Sequence, residues 1–132
     1  MSKHHHTIST LKQLDSEQRY LYFIEQVVLH KEVWILSDEQ GCVMLNTEEE
    51  ACVPVWPSLE SAQMWATSEW QHCQAQSIDL KSWQLRWTQG LEEDGFYVVV
   101  FPIESQEGSV IEAHELEADL RREIKRSNKA KS

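Results

Sequence analysis

Apolar residues recur along this chain at two periods, and the switches between them mark out its elements. Tyr20, Phe23, Ile24, Val27 and Val28 follow one another at i, i+3, i+4, i+7 and i+8, the apolar stripe of an amphipathic helix. Asp15 and Gln18 have the spacing of a capping box, which predicts a helix start near Asp15 or Ser16. Val33-Trp34-Ile35-Leu36 is a run of strand formers. Asp38-Glu39-Gln40-Gly41 reads as a turn, Cys42 to Leu45 as the returning strand, Glu48-Glu49-Glu50 as a second turn and Ala51 to Val55 as a third strand. Together the three strands predict an antiparallel meander. Pro54 has no N–H to give to a ladder, so the third strand is expected to lie at an edge or to end there.

Pro57 closes that strand and Ser58 can cap a second helix, with Leu59, Ala62, Ala66 and Trp70 on one side and Trp65 close by. A short strand follows at Ala75 to Ile78. Asp79 then caps a helix on which Leu80, Trp83, Trp87 and Leu91 recur at i, i+3, i+7 and i+11, and Glu92-Glu93-Asp94-Gly95 reads as a turn. Phe96 to Phe101 is an unbroken run of six apolar residues ended by Pro102, the signature of a strand covered on both faces. Gly108 turns back into a strand through Glu112, and Leu116, Leu120 and Ile124 mark one face of a last helix. Strands interrupted by helices in this order predict the α+β class. The expected fold is a mostly antiparallel sheet of about five strands with three to four helices. It forms one compact domain over 15–126, after a loose segment 1–14 and before a basic tail 127–132.

Composition narrows the class further. At 132 residues and 41% apolar, the chain has the size and core material of a single domain. No apolar run approaches the ~20 residues of a spanning helix, and the N-terminus offers His4, His5 and His6 in place of a secretory apolar stretch. Those three histidines are either native or the remnant of a tag. Cys42, Cys52 and Cys73 are odd in number and form no Cys-x-x-Cys pair, which points to a reducing, cytoplasmic compartment without disulfides.

Charge is unevenly spread. Residues 121–132 carry a net +5, so the other 120 residues carry −15 of the total −10. So acidic a body repels phosphate backbones and disfavours nucleic-acid binding. The basic end has two readings: cations placed at the negative end of a terminal helix dipole, or a docking tail for an acidic partner.

Signatures of cofactor, metal and nucleophile chemistry are not found. The four glycines, Gly41, Gly90, Gly95 and Gly108, fit neither a Walker nor a dinucleotide loop. Glu48-Glu49-Glu50 and Glu92-Glu93-Asp94 read as solvated turns, since they lack the alternating ligands of a calcium loop. His72-Cys73 is the one place where two soft metal ligands adjoin. Adjacent residues on a helix point about 100° apart, so the pair is not expected to converge on an ion without a distant His30 or His114. The cysteines read as buried, inert thiols. No catalytic residue, metal or cofactor is assigned.

Six tryptophans stand out: Trp34, Trp56, Trp65, Trp70, Trp83 and Trp87. Each ring can bury roughly 150–250 Å², too much for a marginally stable domain to leave mostly in water. Trp83, Trp87 and Trp34 are expected in the core. Trp56, at a strand end before Pro57, and Trp65 and Trp70, on the second helix, are the candidates for contact with a partner.

Certain ordered motifs carry a resemblance. They are Glu32 to Leu36, Val53-Pro54-Val55-Trp56-Pro57 with Ala62 and Trp70, Trp87, Gly90-Leu91-Glu92-Glu93-Asp94-Gly95, Val98 to Pro102, and Glu115 to Leu120. In this order they resemble a family of small uncharacterised bacterial proteins classed as a domain of unknown function, over roughly residues 19–123. The resemblance implies a small bacterial cytoplasmic domain, usually standing alone, and assigns no activity or site residue. Members often carry histidine after the Trp-Pro pair, where this chain has Ser58.

The expected function is a non-enzymatic protein-interaction module meeting another protein through its acidic face and an aromatic patch. The alternatives are a small enzyme using scattered carboxylates or a Cys/His pair, and an acidic nucleic-acid mimic. No membrane partner is expected, and no nucleic-acid partner for the domain body. Oligomeric state is left open, and a dimer through the edge strand at Ala51 to Val55 is conceivable.

Overall fold

The computed structural model describes residues 14–39, 41–46, 51–66, 72–103 and 108–131. Helix α1, Ser16–His30, is capped by Asp15, whose carboxylate accepts from the Gln18 N–H at 2.8 Å while the Gln18 side chain accepts from the Asp15 N–H at 3.0 Å. Lys31, in the left-handed region, ends it. Strand β1, Glu32–Asp38, turns into β2, Gly41–Cys42; then come β3, Leu45–Asn46, β4, Ala51–Val55, and helix α2, Leu59–Trp65, capped by Ser58. Strand β5, Gln74–Asp79, leads into helix α3, built of Leu80–Ser82, a π-helical stretch Trp83–Trp87, and Thr88–Asp94. Strands β6, Tyr97–Val100, and β7, Ser109–Glu112, precede helix α4, Ala113–Lys131. The fold is α+β, and no described helix is long and apolar enough to cross a membrane.

The strands form two sheets, ordered β2-β1-β5 and β3-β4-β6-β7. Four of the five pairings are antiparallel; β4 and β6 run parallel. The expected meander is therefore not formed. After Cys42 the chain leaves the first sheet, and Leu45 enters the second by pairing with Cys52. The sheets stay joined through Trp34 and Trp56, each N–H donating to the other's carbonyl at 2.9 Å.

Strand β4 is internal to its sheet, against the expectation from Pro54. The reason is local. Cys52 faces β3 and Trp56 faces β1, and alternate residues of a strand point their N–H groups to the same side. The missing Pro54 N–H thus falls in the gap between two partners, where it costs no ladder bond.

The core runs through both sheets and takes in Phe23, Val27, Val33, Leu36, Val53, Trp56, Trp83, Val98, Leu116 and Leu120, all at most 1% exposed. A charged side chain lies beside it: Arg19 is fully buried, its Nε donating to the Phe101 carbonyl at 3.1 Å and its guanidinium to the Leu14 carbonyl at 2.7 Å. These bonds help hold Phe101 at φ +53°, a left-handed conformation that costs a bulky residue about 1–3 kcal/mol. Two other expectations change. Glu92 to Asp94 stay helical, and only Gly95, at φ +71°, ends α3. Helix α4 continues through Lys131, so the boundary drawn at 126/127 falls inside a helix whose last turns carry the cations.

Candidate functional site

Departures from ordinary folding rules concentrate on α3. In its π-helical stretch the Thr88 N–H donates to the Trp83 carbonyl, five residues back, and the Thr88 hydroxyl donates to the same oxygen at 3.1 Å. Trp83 and Trp87 stack within it, ring centroids 5.6 Å apart at 13°. Gly90 occupies the helix interior, where it costs about 1 kcal/mol relative to alanine, and a Cβ there would meet nothing within 4 Å. Across the interface with α4, Trp83 Nε1 and Glu117 Oε1 are buried without a hydrogen-bond partner, while Glu117 Oε2 accepts from Gln84 at 3.1 Å and from Arg121 at 2.6 Å. Widened helices and local rule-breaking of this kind gather at functional sites.

Beneath this helix lies a cavity of about 290 Å³. Val53 and Leu91 are its buried floor, and half-buried Cys42, Met44, Trp87 and Phe96 are its walls. Gly90 lies between Arg86 and Asp94, which stand exposed at the mouth one turn to either side. Neither forms an ion pair or hydrogen bond with another described residue. The arrangement is an apolar slot with an exposed guanidinium at one end and an exposed carboxylate at the other. The Cys42 thiol in its wall is pushed up by burial, with the Asp38 charge adding to the effect, so it stays protonated and is a poor nucleophile.

A second cluster lies where β1 ends. His72 and Cys73 sit in the turn before β5 rather than on a helix, so the divergence expected of helical neighbours does not apply. His72 Nε2 is 3.7 Å from Cys73 Sγ and 4.0 Å from Asp38 Oδ2. One ring nitrogen faces both groups, which is not the relay a Cys–His–Asp nucleophile requires. Burial, seconded by Asp38, also pushes the Cys73 thiol up.

On the far side of α3, the exposed His114 is bound at both nitrogens: Nδ1 to Glu92 at 2.6 Å and Nε2 to Glu112 at 3.2 Å. The Glu92 hydrogen bond is the largest cause of its raised pKa, with the Glu92, Glu112 and Glu115 charges adding to it. This clamp ties α3 to the junction of β7 and α4. The distant His30 instead contacts Gln26 on its own helix, at 3.2 Å.

Of the three tryptophans expected to meet a partner, Trp56 is fully buried. Its indole donates to the Pro102 carbonyl at 3.0 Å, so its ring has no face to offer. Sequence placed it at a strand end; the link to Trp34 turns that end into the seam between the sheets. Trp65 is half-buried against Trp56, centroids 5.4 Å apart, and Trp70 lies outside the described residues. Arg86, Trp87, Gly90 and Asp94 were missed. The signal for them was the i, i+4, i+8 spacing of Arg86, Gly90 and Asp94, which is readable only if Glu92 to Asp94 are taken as helix.

No curated protein matches the chain. The family described as a protein of unknown function (DUF2750) matches residues 20–120, a span that includes both sheets, the slot beneath α3 and the seam at Trp34 and Trp56. This chain is a member of the DUF2750 family.

Proposed function

We propose that the protein is a non-enzymatic interaction module that seats one apolar side chain of a partner protein in the slot beneath α3. The observation that carries this reading is the pairing of an apolar cavity of about 290 Å³ with the exposed side chains of Arg86 and Asp94 at its mouth. Pockets for drug-sized ligands and cofactors span roughly 300–1,000 Å³, so this one suits a single side chain better than a dinucleotide. Interface hot spots consist of an aromatic or arginine anchor and a small desolvated pocket, and Arg86 beside Trp87 over Leu91 has that composition. The acidic body, −15 outside the last 12 residues, steers a basic partner. The favoured occupant is an aromatic or aliphatic residue flanked by lysine or arginine.

A nitrogen-15 correlation titration tests this with two blocked tripeptides, Lys-Trp-Lys and Glu-Trp-Glu. The lysine peptide is expected to shift the amides of Met44, Gly90, Leu91 and Phe96 together and to weaken as salt is raised. Equal effects from both peptides, or shifts scattered over the surface, would overturn the reading.

A further inference from the structure

From the convergence of three ligand atoms at the open end of the β1–β5 ladder, we infer a second site: Asp38, His72 and Cys73 bind a borderline-soft divalent cation of the zinc class. The ladder itself assembles them. Its last pair is Ser37 with Gln74, so one step further along an antiparallel register Asp38 stands opposite Cys73. Directly opposed residues direct their side chains to the same face, Cβ atoms about 4.5–5.5 Å apart. His72 adds the next side chain from the turn. The carboxylate oxygen, imidazole nitrogen and sulfur all lie within 4.8 Å of one another.

Two of the three separations come close to the edges of a tetrahedral ion. Metal–sulfur and metal–nitrogen bonds of about 2.3 and 2.0–2.1 Å place the two ligand atoms roughly 3.5 Å apart; Sγ and Nε2 are 3.7 Å apart. Nε2 and Oδ2, at 4.0 Å, must close by about 0.6 Å to reach the ~3.4 Å of a tetrahedral edge. The His72 side chain, 61% exposed, has the freedom to make that movement.

Ligand chemistry selects the ion. One thiolate and one imidazole favour zinc-like metals over magnesium or calcium, which take oxygen. As the metal–sulfur bond forms, the Sγ proton leaves for solvent. Three protein ligands leave a fourth position for water or a partner's side chain. The bound ion would also staple the ends of β1 and β5 together.

Cobalt(II), added to the reduced full-length protein, is the spectroscopic probe, and zinc(II) is the competitor. The expected result is one equivalent bound, with a thiolate-to-cobalt charge-transfer absorption that zinc abolishes. The absorption is expected to vanish in Cys73→Ser and affinity to fall about tenfold or more in His72→Ala and Asp38→Asn. It is expected to be unchanged when His4, His5 and His6 are all replaced by alanine, which removes the run of three histidines near the N-terminus. Absence of the absorption, its survival in Cys73→Ser, or its loss in the alanine triple variant would each overturn the proposal. If Cys73→Ser fails to fold, alkylation of the unaltered protein decides: zinc must protect Cys73, and protection of Cys42 or Cys52 instead refutes the site.

Discussion

Trp34 and Trp56 exchange both backbone hydrogen bonds, at 2.9 Å each, and this single pair joins a three-stranded sheet to a four-stranded one. Trp56 is also buried through its ring and bonded through its indole to Pro102. Three kinds of interaction therefore meet in one residue. Trp56→Ala is expected to lose about 3–5 kcal/mol through the cavity it leaves. Trp56→Phe keeps most of the ring but strands the Pro102 carbonyl, at about 1–3 kcal/mol. Urea denaturation checks both, as a fall in midpoint at constant slope.

One substitution, glycine to alanine, is expected to act with opposite signs at two sites. At Gly108 a Cβ would lie 2.1 Å from the Val100 carbonyl oxygen and 2.8 Å from its carbon. Backbone cannot yield as a side-chain end does, so Gly108→Ala must push β7 away from β6 and cost about 1–3 kcal/mol or more. At Gly90 nothing lies within 4 Å, and Gly90→Ala is expected to stabilise the helix by about 0.5–1 kcal/mol. Parallel denaturation curves for the two variants decide the matter. A destabilising Gly90→Ala would contradict the open slot.

His114 gives the fold a pH dependence. Its pKa is raised above the ordinary 6.5 by Glu92 first, with Glu112 and Glu115 adding to the effect. A raised histidine contributes stability that is fully present below the unfolded value and is lost as pH rises through the folded one. The stability difference between the native protein and His114→Gln is thus expected to be largest near pH 5–6, where the carboxylates are still charged, and to shrink on the alkaline side. Because the clamp is exposed, salt is expected to weaken it. Denaturant midpoints across this pH range check it; a difference independent of pH would show that the clamp carries no charge.

What sequence could show here depended on how local the cause was. The Asp15–Gln18 box, the Asp79 cap, which accepts from Lys81 and Ser82 N–H groups, and the strand from Tyr97 to Val100 follow from neighbours a few residues apart. Strand partners do not. Gly41–Cys42 and Leu45–Asn46 are two residues each, too short for an alternation to assign them to a sheet. The π-helical stretch was hidden because Trp83, Trp87 and Leu91 keep a helical spacing whether or not one residue is widened. Arg19 stands just before the apolar stripe and reads like any solvated arginine, because its acceptor on the Phe101 carbonyl lies 82 residues away. The convergence of His72, Cys73 and Asp38 required the β1–β5 register, which no spacing in the chain records.

The central claim, that the slot beneath α3 seats a partner's side chain, is tested most directly by filling it from within. Gly90→Leu places an isobutyl group where a glycine Cβ would meet nothing within 4 Å. The measurement is binding of the Lys-Trp-Lys peptide to this variant and to the native protein, with folding confirmed by the denaturant midpoint. The account expects the variant to remain as stable as the native protein and to bind the peptide at least tenfold more weakly. A folded Gly90→Leu variant that binds as well as the native protein would contradict it.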